Sequence, residues 1–178
     1  MPSFDFQQDF FQLFGLVERF QIDNTQLEQH YRTLQTQVHP DKFAHLSEAE
    51  QRISMQWATQ VNEAYQTLRD PVRRARYLLS LHGVDTQEET NTAMPVDFLM
   101  QQMEWREAIE EAQQASDEAA LTDLETRLQH EIRGLEQFLA AKIDDEHNYV
   151  AAAEAVRKLK FMEKLAEETA SALDALEY

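Results

Sequence analysis

The sequence predicts an all-α protein, and three observations lead to that prediction. The chain contains only three glycines and four prolines among 178 residues, so few helix-breaking residues are present. Its apolar residues recur mostly at three- and four-residue spacing, the period of an amphipathic helix. Capping residues and prolines stand where these periodic stretches begin and end. We expect a domain at 1–83 made of a helical hairpin with flanking helices, a linker at 84–94, and an antiparallel three-helix bundle at 95–178.

The first domain opens with two predicted helices. Residues 9–14 form a short helix that ends at Gly15, the residue type preferred where a helix stops. Asp23 caps the second helix, whose inward stripe is Leu27, Tyr31, Leu34 and Val38. This helix stops at Pro40, because proline lacks the amide hydrogen that the helix needs.

Two further helices complete this domain. Ser47 and Glu50 have the spacing of a capping box, so we expect a helix to begin there. Its inward residues are Ile53, Trp57, Val61, Ala64 and Leu68. Asp70 and Pro71 start the next helix, since proline suits the first helical position, and that helix runs to Gly83.

The second domain is predicted to contain three long helices. Pro95 opens a helix that runs to about residue 115, and its core stripe is Phe98, Trp105, Ile109 and Ala112. Ser116 or Asp117 caps the next helix, and Asp144 and Asp145 cap the last. The inward residues predicted for these two helices are Leu121, Leu124, Leu128, Ile132, Leu135, Leu139, Ala152, Val156, Leu159, Met162, Ala166, Leu173 and Leu176. Near-heptad spacing also fits a coiled-coil dimer, but turns this short favour a bundle within one chain, and we expect a monomer.

Charge is distributed unevenly along the chain, whose formal net charge is −17. Residues 1–83 contain eight basic and ten acidic residues, whereas residues 84–178 contain eight basic and 23 acidic residues. The second half therefore repels nucleic acid and anionic lipid, and a basic or mixed-charge protein suits it better as a partner. Solubility alone also accounts for part of this acidity.

The cysteine content and the N-terminus bear on location. Cysteine is absent, which excludes disulfides, cysteine-ligated zinc and thiolate chemistry. The N-terminus is a poor secretory signal, because no basic region precedes its first apolar residues. No apolar run approaches the roughly 20 residues that span a bilayer. We expect a soluble, cytoplasmic protein.

The tripeptide His39-Pro40-Asp41 is the most informative local feature. Proline disfavours a helical backbone at the residue before it, so the histidine and the carboxylate stand outward on a stiff loop between two helices. Such a loop suits docking onto another protein. Arg32 on the preceding helix and Lys42 after the loop either meet an acidic partner surface or are simply solvated.

Metal binding and catalysis fit this loop less well. His39, Asp41 and His45 provide three ligands for a divalent ion, but no fourth ligand is fixed by the sequence. A general base at His39 lacks a nucleophile and an oxyanion cradle. We therefore expect no enzymatic activity, no metal site and no cofactor.

The helix after Pro95 has more apolar residues than its core stripe uses. The surplus face runs from apolar to acidic and consists of Leu99, Met100, Met103, Glu104, Glu107 and Glu111. Apolar side chains rimmed by carboxylates are typical of a protein-binding surface. Phe161, beside the core stripe of the last helix, joins this surface if the two helices are neighbours. Packing of the apolar residues against the linker or the first domain is an equally open interpretation, as is a rim position for Phe161 under lysine stems.

The residues after the loop resemble the J domain of DnaJ-type co-chaperones. That family has the pattern Ala-Tyr-x-x-Leu-x-Asp-Pro-x-x-Arg-x-x-Tyr after its His-Pro-Asp loop. This chain matches the pattern at Ala64, Tyr65, Leu68, Asp70, Pro71, Arg74 and Tyr77. The resemblance covers roughly residues 9–80. It implies docking onto a heat-shock ATPase and stimulation of its ATP hydrolysis.

The chain as a whole resembles the HscB family of iron–sulfur cluster co-chaperones, from about residue 9 to the C-terminus. The segments that carry this resemblance are Leu79 to Gly83, Asp97 to Met100 and Arg157 to Phe161. It implies that the first domain engages an HscA-type ATPase chaperone, through the His-Pro-Asp loop with Arg32 and Lys42. It also implies that the acidic bundle carries an IscU-type scaffold to that chaperone. The implied scaffold-binding residues are Leu99, Met100, Met103, Glu104, Glu107, Glu111 and Phe161.

Departures from the family pattern and a second hypothesis complete the sequence-based interpretation. Residues 1–8 are additional to a typical bacterial member, and Met103 stands where the family has leucine, a change of similar volume. The absence of a cysteine-rich N-terminal module favours a bacterial form. The alternative function is a general J-type holdase for unfolded proteins. A third, an acidic mimic or inhibitor, rests on the charge alone.

Overall fold

The structure of the protein is a computed structural model that describes residues 7–43, 45, 47–86 and 94–176. Within these ranges the regular elements are all helical, which confirms the predicted all-α class. The helices are α1 (Phe10–Leu13), α2 (Asn24–Val38), α3 (Glu48–Arg69), α4 (Pro71–Leu81), α5 (Val96–Gln114), α6 (Glu118–Ala140) and α7 (Tyr149–Asp174), with a 3-10 turn at Pro40–Phe43 and a π-helical turn at Ala141–Asp145. None of the helices in these ranges combines the length and the hydropathy that crossing a membrane requires.

The chain divides into two compact units, one ending at Leu78 and the other beginning at Leu79. The division falls inside α4, so the last residues of this helix belong to the same unit as the bundle. Residues 87–93 of the predicted linker lie outside the described ranges, and the linker at 84–94 stays a prediction.

Contacts within the second unit explain why the chain just after α4 belongs with the bundle. The imidazole of His82 stacks on the ring of Tyr149, with centroids 3.9 Å apart and planes 9° apart. The Arg157 guanidinium donates a 3.0 Å hydrogen bond through Nη1 to the carbonyl of Thr86, which is buried. Both partners lie on α7, so residues 82–86 are attached to that helix.

The helices of the first unit begin where local capping signals predict. The Asp9 carboxylate accepts a 2.8 Å hydrogen bond from a backbone amide of α1, and Gly15 follows this helix at a left-handed φ of 63°. Asp23 accepts hydrogen bonds from two first-turn amides of α2, and Ser47 with Glu50 forms the predicted capping box of α3. The core of this unit is formed by Phe11, Leu13, Phe14, Phe20, Leu27, Val38, Trp57, Val61, Ala64, Leu68, Val72, Ala75 and Leu78.

One inward prediction in α3 is wrong. Ile53 is exposed, and its neighbour Ser54 is buried instead. The Ser54 hydroxyl donates a 3.0 Å hydrogen bond to the Val38 carbonyl, at the end of α2. Carbonyls at a helix end lack an intrahelical partner, so this hydroxyl satisfies a group that would otherwise be buried without one. The need for a hydrogen-bond donor therefore explains a serine at this inward position.

Two residues of the J-domain pattern hold the first unit together. The buried Arg74 guanidinium donates hydrogen bonds to the Phe20 carbonyl at 2.7 Å and to the Leu68 carbonyl at 2.5 Å. The Tyr77 hydroxyl accepts a 3.0 Å hydrogen bond from the Phe10 amide, and the two rings stack with centroids 4.4 Å apart. These side chains connect the segments before α2 to α3 and α4, and burial raises the pKa of the Tyr77 hydroxyl.

The second unit contains the predicted three-helix bundle, in which α6 packs along α7 and α5 contacts both. Asp117 caps α6 by accepting a 3.0 Å hydrogen bond from the Ala120 amide, after a sharp turn at Ser116 with a φ of 51°. The core of the bundle is formed by Phe98, Trp105, Ile109, Ala112, Leu121, Leu124, Leu128, Ile132, Leu139, Ala152, Val156, Leu159, Met162 and Leu165.

The start of α7 is a second wrong prediction. The chain continues from α6 into the π-helical turn, so Asp144 and Asp145 belong to that turn and do not cap α7. Asn148 caps α7 instead, accepting a 3.2 Å hydrogen bond from the Ala151 amide. Beyond Met162 the buried face of α7 is also displaced from the predicted one, and it consists of Leu165, Thr169 and Ala172 rather than Ala166, Leu173 and Leu176.

Candidate protein-binding surfaces

The first candidate surface is the HPD loop, His39 to Asp41, between α2 and α3. His39 leaves α2 with an extended ψ of 127°, as expected for a residue before proline. The Asp41 amide donates a 3.3 Å hydrogen bond to His39 Nδ1, and the Asp41 carboxylate lies 3.6 Å from the same nitrogen. Both side chains are accessible, with 54% of the His39 and 91% of the Asp41 side-chain surface exposed. The Nδ1 edge of the imidazole therefore faces Asp41, and the loop presents the imidazole beside an exposed carboxylate.

The HPD loop is held at its base by packed helices. The hydrogen bond from the Ser54 hydroxyl of α3 to the Val38 carbonyl lies at the end of α2, directly before the loop. Nearly two turns earlier, the rings of Tyr31 and Tyr65 stack with centroids 3.9 Å apart, and the Tyr31 hydroxyl donates a 2.8 Å hydrogen bond to Asn62. After the proline, the Lys42 amide donates a 3.0 Å hydrogen bond to the His39 carbonyl and closes the turn. The loop is therefore short and tied on both sides.

The two basic residues predicted beside the loop have different surroundings. Lys42 lies in the 3-10 turn directly after Asp41, and its exposed ammonium makes no hydrogen bond or ion pair with any described residue. Arg32 lies nearly two turns before the end of α2, where it forms an ion pair of 2.5 Å with Glu28. Both members of that pair are largely exposed, so the pair holds the guanidinium only weakly. The structure thus brings Lys42, more directly than Arg32, to the HPD loop.

The second candidate surface, called here the α5 surface, consists of Leu99, Met100, Met103, Glu104, Glu107 and Glu111 on α5 with Phe161 on α7. The three aliphatic side chains are accessible: Leu99 is 41% exposed, Met100 59% and Met103 71%. The three glutamates are exposed as well. Apolar residues on the opposite face of α5 supply the helix's share of the core, so these side chains are surplus to folding.

Phe161 is half-buried, and the packing of α5 against α7 brings its ring against α5. Its ring meets the buried ring of Phe98 edge-on, with centroids 6.2 Å apart and planes 78° apart. The guanidinium carbon of Arg106 lies 5.1 Å from the centroid of the Phe161 ring. The two helices are therefore neighbours at this point, which was the condition for Phe161 to join the surface.

Cations near the α5 surface lie over aromatic rings. Besides Arg106, the Lys158 ammonium lies 5.5 Å from the Phe98 centroid, and the Arg127 guanidinium lies 4.8 Å from the ring of Trp105. The carboxylates of the α5 surface form no ion pair with any described residue. They are consequently available to the cations of a partner. Across the described ranges, no three histidine, aspartate or glutamate side chains are grouped so as to hold a metal ion.

Sequence reasoning did not single out Arg106 or Gln102. Gln102 is buried on the core face of α5. A signal for Arg106 was present, because it is the only basic residue in a helix with five acidic ones. An isolated cation in an acidic helix is a reason to look for an aromatic or anionic partner, which here is Phe161.

Two family models match the chain. A model described as the DnaJ domain matches residues 9–77, which include the HPD loop. A model described as the HSCB C-terminal oligomerisation domain matches residues 94–170, which include the whole α5 surface. A J domain followed by a bundle of this type defines the class of the protein, a J-domain co-chaperone.

Full-length relatives place the chain within that class. It is 56% identical to a co-chaperone protein HscB homolog of Aromatoleum aromaticum, over 98% of this chain and 99% of the relative. It is 54% identical to a homolog of the same name from Ralstonia nicotianae, over 94% and 95% of the two chains. The chain therefore belongs to the HscB family.

Solved structures of the same family have the same fold. The chaperone HscB from Vibrio cholerae matches with a TM-score of 0.86 at 40% identity, over 95% of this chain and 99% of that one. The human co-chaperone protein HscB matches with a TM-score of 0.88 at 30% identity, over 94% of this chain and 83% of that one. The predicted order of a J domain followed by a helical bundle is thus the architecture of these relatives.

Proposed function

We propose that this chain is an adaptor in iron–sulfur cluster assembly that catalyses no reaction of its own. The HPD loop, with Lys42 and Arg32 beside it, contacts an HscA-type ATPase chaperone and stimulates its ATP hydrolysis. The α5 surface binds an IscU-type scaffold and delivers it to that chaperone. Hydrolysis then traps the scaffold on the chaperone, where its cluster is released more easily. We place this work in the cytoplasm.

The observation that carries the proposal is the exposure of the α5 surface. An apolar cluster of two methionines and a leucine remains accessible on a helix whose other face is packed, and the carboxylates at its rim form no ion pair with a described residue. Exposed apolar clusters of this kind mark sites where proteins bind. The surface is acidic at one end, so it suits a folded partner with an apolar patch beside basic residues.

The HPD loop supports the other half of the proposal. Its polar groups point outward from a turn tied to both neighbouring helices, and no described group gives His39 and Asp41 a catalytic partner. A carboxylate that is almost fully exposed contributes little to folding, so its free contacts are available to the chaperone.

Replacing Asp41 by asparagine tests the role of the HPD loop. The change keeps the shape and removes the charge, so we expect stimulation of the chaperone's ATPase turnover to be lost while scaffold binding is retained. Asp123→Asn is a matched control, since Asp123 is an exposed aspartate on α6 in a long, weak ion pair with Arg127. A folded Asp41→Asn variant that stimulates like the unaltered chain would contradict the role assigned to the loop.

A general holdase would use an exposed apolar surface too, and a second titration separates the two functions. The adaptor binds a folded scaffold much more tightly than a chemically denatured protein of similar size. Equal affinity for both would favour the holdase.

A further inference from the structure

Arg106 is the single basic residue of α5, and its guanidinium pairs with no carboxylate in the part of the chain that the structure describes. Glu110 is one helical turn away, at the i+4 spacing that commonly forms an ion pair. The guanidinium instead lies 5.1 Å from the Phe161 centroid, and it forms no ion pair with any described residue. The aromatic ring is therefore its main partner in the folded chain.

The ring of Phe161 is held from two sides. Phe98 contacts it edge-on from the core side, and the planar Arg106 guanidinium lies over one face. Phe98 is itself buried and has the Lys158 ammonium over its ring. Successive contacts therefore connect four side chains that alternate between α7 and α5, in the order Lys158, Phe98, Phe161 and Arg106. Only Arg106 lies at the exposed end of this series, next to the α5 surface.

A half-buried aromatic ring on a surface has few contacts to fix its orientation. Without the guanidinium, Phe161 keeps its edge contact with Phe98 but loses the group that covers one face of its ring, so its side chain gains freedom to rotate. An anchor residue binds best when it is already in its bound orientation, because ordering it on binding costs free energy. The contact with Arg106 thus affects the affinity of the whole surface.

We propose that Arg106 is a positioning residue for scaffold binding, which holds the Phe161 ring in the orientation that the scaffold contacts. The inference rests on the proposed function, since it assigns a further residue to the surface that binds the scaffold. It differs from a direct role because Arg106 acts through Phe161.

A double-mutant cycle tests this inference. The dissociation constant for a purified IscU-type scaffold is measured by calorimetry for the unaltered chain, Arg106→Ala, Phe161→Leu and the double variant. We expect Arg106→Ala to weaken binding about twofold to fivefold, the range of an exposed cation–π contact. In the Phe161→Leu background, which keeps an apolar side chain without a ring, the same change has no further effect.

Two more variants separate positioning from charge. Arg106→Lys restores part of the affinity, because an ammonium also binds a ring face but lacks the planar stacking of a guanidinium. Lys164→Ala is the matched control, since Lys164 is an exposed cation on α7 near Arg106 with no ring contact among the described residues. Its affinity stays that of the unaltered chain.

The free protein provides a readout that needs no partner. Removing the guanidinium changes the NMR shifts of the Phe161 ring protons in Arg106→Ala, and Lys164→Ala leaves them in place. Equal losses of affinity from Arg106→Ala in both backgrounds, or an equal loss from Lys164→Ala, would overturn the inference while the proposed function stands. Failure of the unaltered chain to bind the scaffold would overturn both.

Discussion

The HPD loop and the α5 surface are built in opposite ways. The loop presents one imidazole and one carboxylate, both accessible, on a turn tied to two helices. The α5 surface exposes a leucine and two methionines on α5 and part of a phenylalanine on α7, bordered by carboxylates that form no ion pair with any described residue. One surface is defined by the geometry of a few polar groups, and the other by accessible apolar area.

This difference bears on how long each contact lasts. Burial of a leucine, methionine or phenylalanine side chain contributes about 1.5–3 kcal/mol, whereas an exposed ion pair contributes about 0–1 kcal/mol. We therefore expect the α5 surface to hold its partner tightly and the HPD loop to make brief contacts that depend on orientation. An adaptor benefits from this arrangement, because it keeps its cargo while it meets the ATPase repeatedly.

The largest expected effect comes from removing the apolar side chains of the α5 surface. A Leu99→Ala, Met100→Ala, Phe161→Ala variant loses scaffold affinity on the order of 4 kcal/mol, because central apolar anchors carry most of the energy of an interface. Calorimetric titration with the scaffold measures this loss. ATPase stimulation by the HPD loop in the absence of scaffold is unchanged.

Thermal unfolding provides the control for that triple variant. Leu159, on α7 near Phe161, is fully buried, so Leu159→Ala costs about 2–5 kcal/mol of stability. Leu99 and Met100 are exposed and Phe161 is half-buried, so the triple variant loses much less stability than Leu159→Ala. A fall in its stability as steep as that of Leu159→Ala would show that the three residues belong to the core.

The next largest effect concerns the base of the HPD loop. Ser54→Ala leaves the Val38 carbonyl buried without its hydroxyl partner, which costs about 1–3 kcal/mol of stability. Because that hydrogen bond lies directly before the loop, ATPase stimulation also falls while scaffold affinity is retained. Denaturant unfolding and ATPase turnover measure the two effects.

A threonine on the same helix supplies the control for Ser54. The Thr59 hydroxyl is exposed, and among the described residues it bonds only to a carbonyl of its own helix, at 3.0 Å. Thr59→Ala therefore changes stability by about 0.5 kcal/mol or less. If the two alanine variants behaved alike, Ser54 would have no special role in holding the loop.

A smaller effect is expected from the acidic end of the α5 surface. Replacing Glu104, Glu107 and Glu111 by glutamine removes three exposed charges that act over a distance. We expect the association rate with the scaffold to fall by about tenfold at low salt, with little change in the dissociation rate. Stopped-flow measurements at several salt concentrations test this, and the salt dependence itself becomes weaker.

A variant with the same change in net charge provides the comparison. Glutamine at Glu118, Glu125 and Glu136 neutralises three carboxylates on α6 that do not belong to the α5 surface. Its association rate stays near that of the unaltered chain. Equal slowing in both variants would mean that the scaffold responds to the overall charge of the bundle, and that the α5 glutamates have no particular position in recognition.

The elements that local chemistry determines were predictable from the sequence. The caps at Asp23 and Ser47 depend on residues within four positions of one another, and both were predicted correctly. The short helix predicted over 9–14 is also present, with Asp9 as its N-cap rather than its first residue. The predicted core stripe of α5 is also buried, because large apolar residues at helical spacing form one face that packs against the other helices. The same periodicity identified Leu99 and Met100 as surplus to the core, and both are exposed.

The errors arise where tertiary contacts or helix geometry decide. Ser54 is buried because α2 ends opposite it, a fact that no local pattern contains. Aspartate is a common helix-capping residue, but Asp144 lies within the π-helical turn and therefore does not cap α7. In α7 the buried face shifts to Thr169. Its hydroxyl can be buried because it donates a 2.8 Å hydrogen bond to the Leu165 carbonyl.

The smallest expected effect concerns how α5 and α3 begin. The α5 helix starts at Pro95 without a side-chain cap, whereas α3, the helix after the HPD loop, starts with the Ser47–Glu50 capping box. Hydrogen bonds from the Ser47 hydroxyl, at 2.7 Å, and from the Ser47 amide, at 3.0 Å, lower the pKa of the Glu50 carboxyl. Its ionised form is thus favoured in the folded state.

The sign of the pH dependence follows from that lowered pKa. The contribution of Glu50 to stability is fully present above the ordinary carboxyl pKa and is lost as the pH falls through the lower value of the folded state. In Ser47→Ala the main hydrogen bond is gone, so the Glu50 pKa rises toward its ordinary value and the acid-side loss of stability becomes smaller. An NMR titration of the Glu50 side chain in both proteins measures the change. Identical titration curves would show that the capping box does not hold the carboxylate in solution, and that the turn after the HPD loop is as weakly capped as the start of α5.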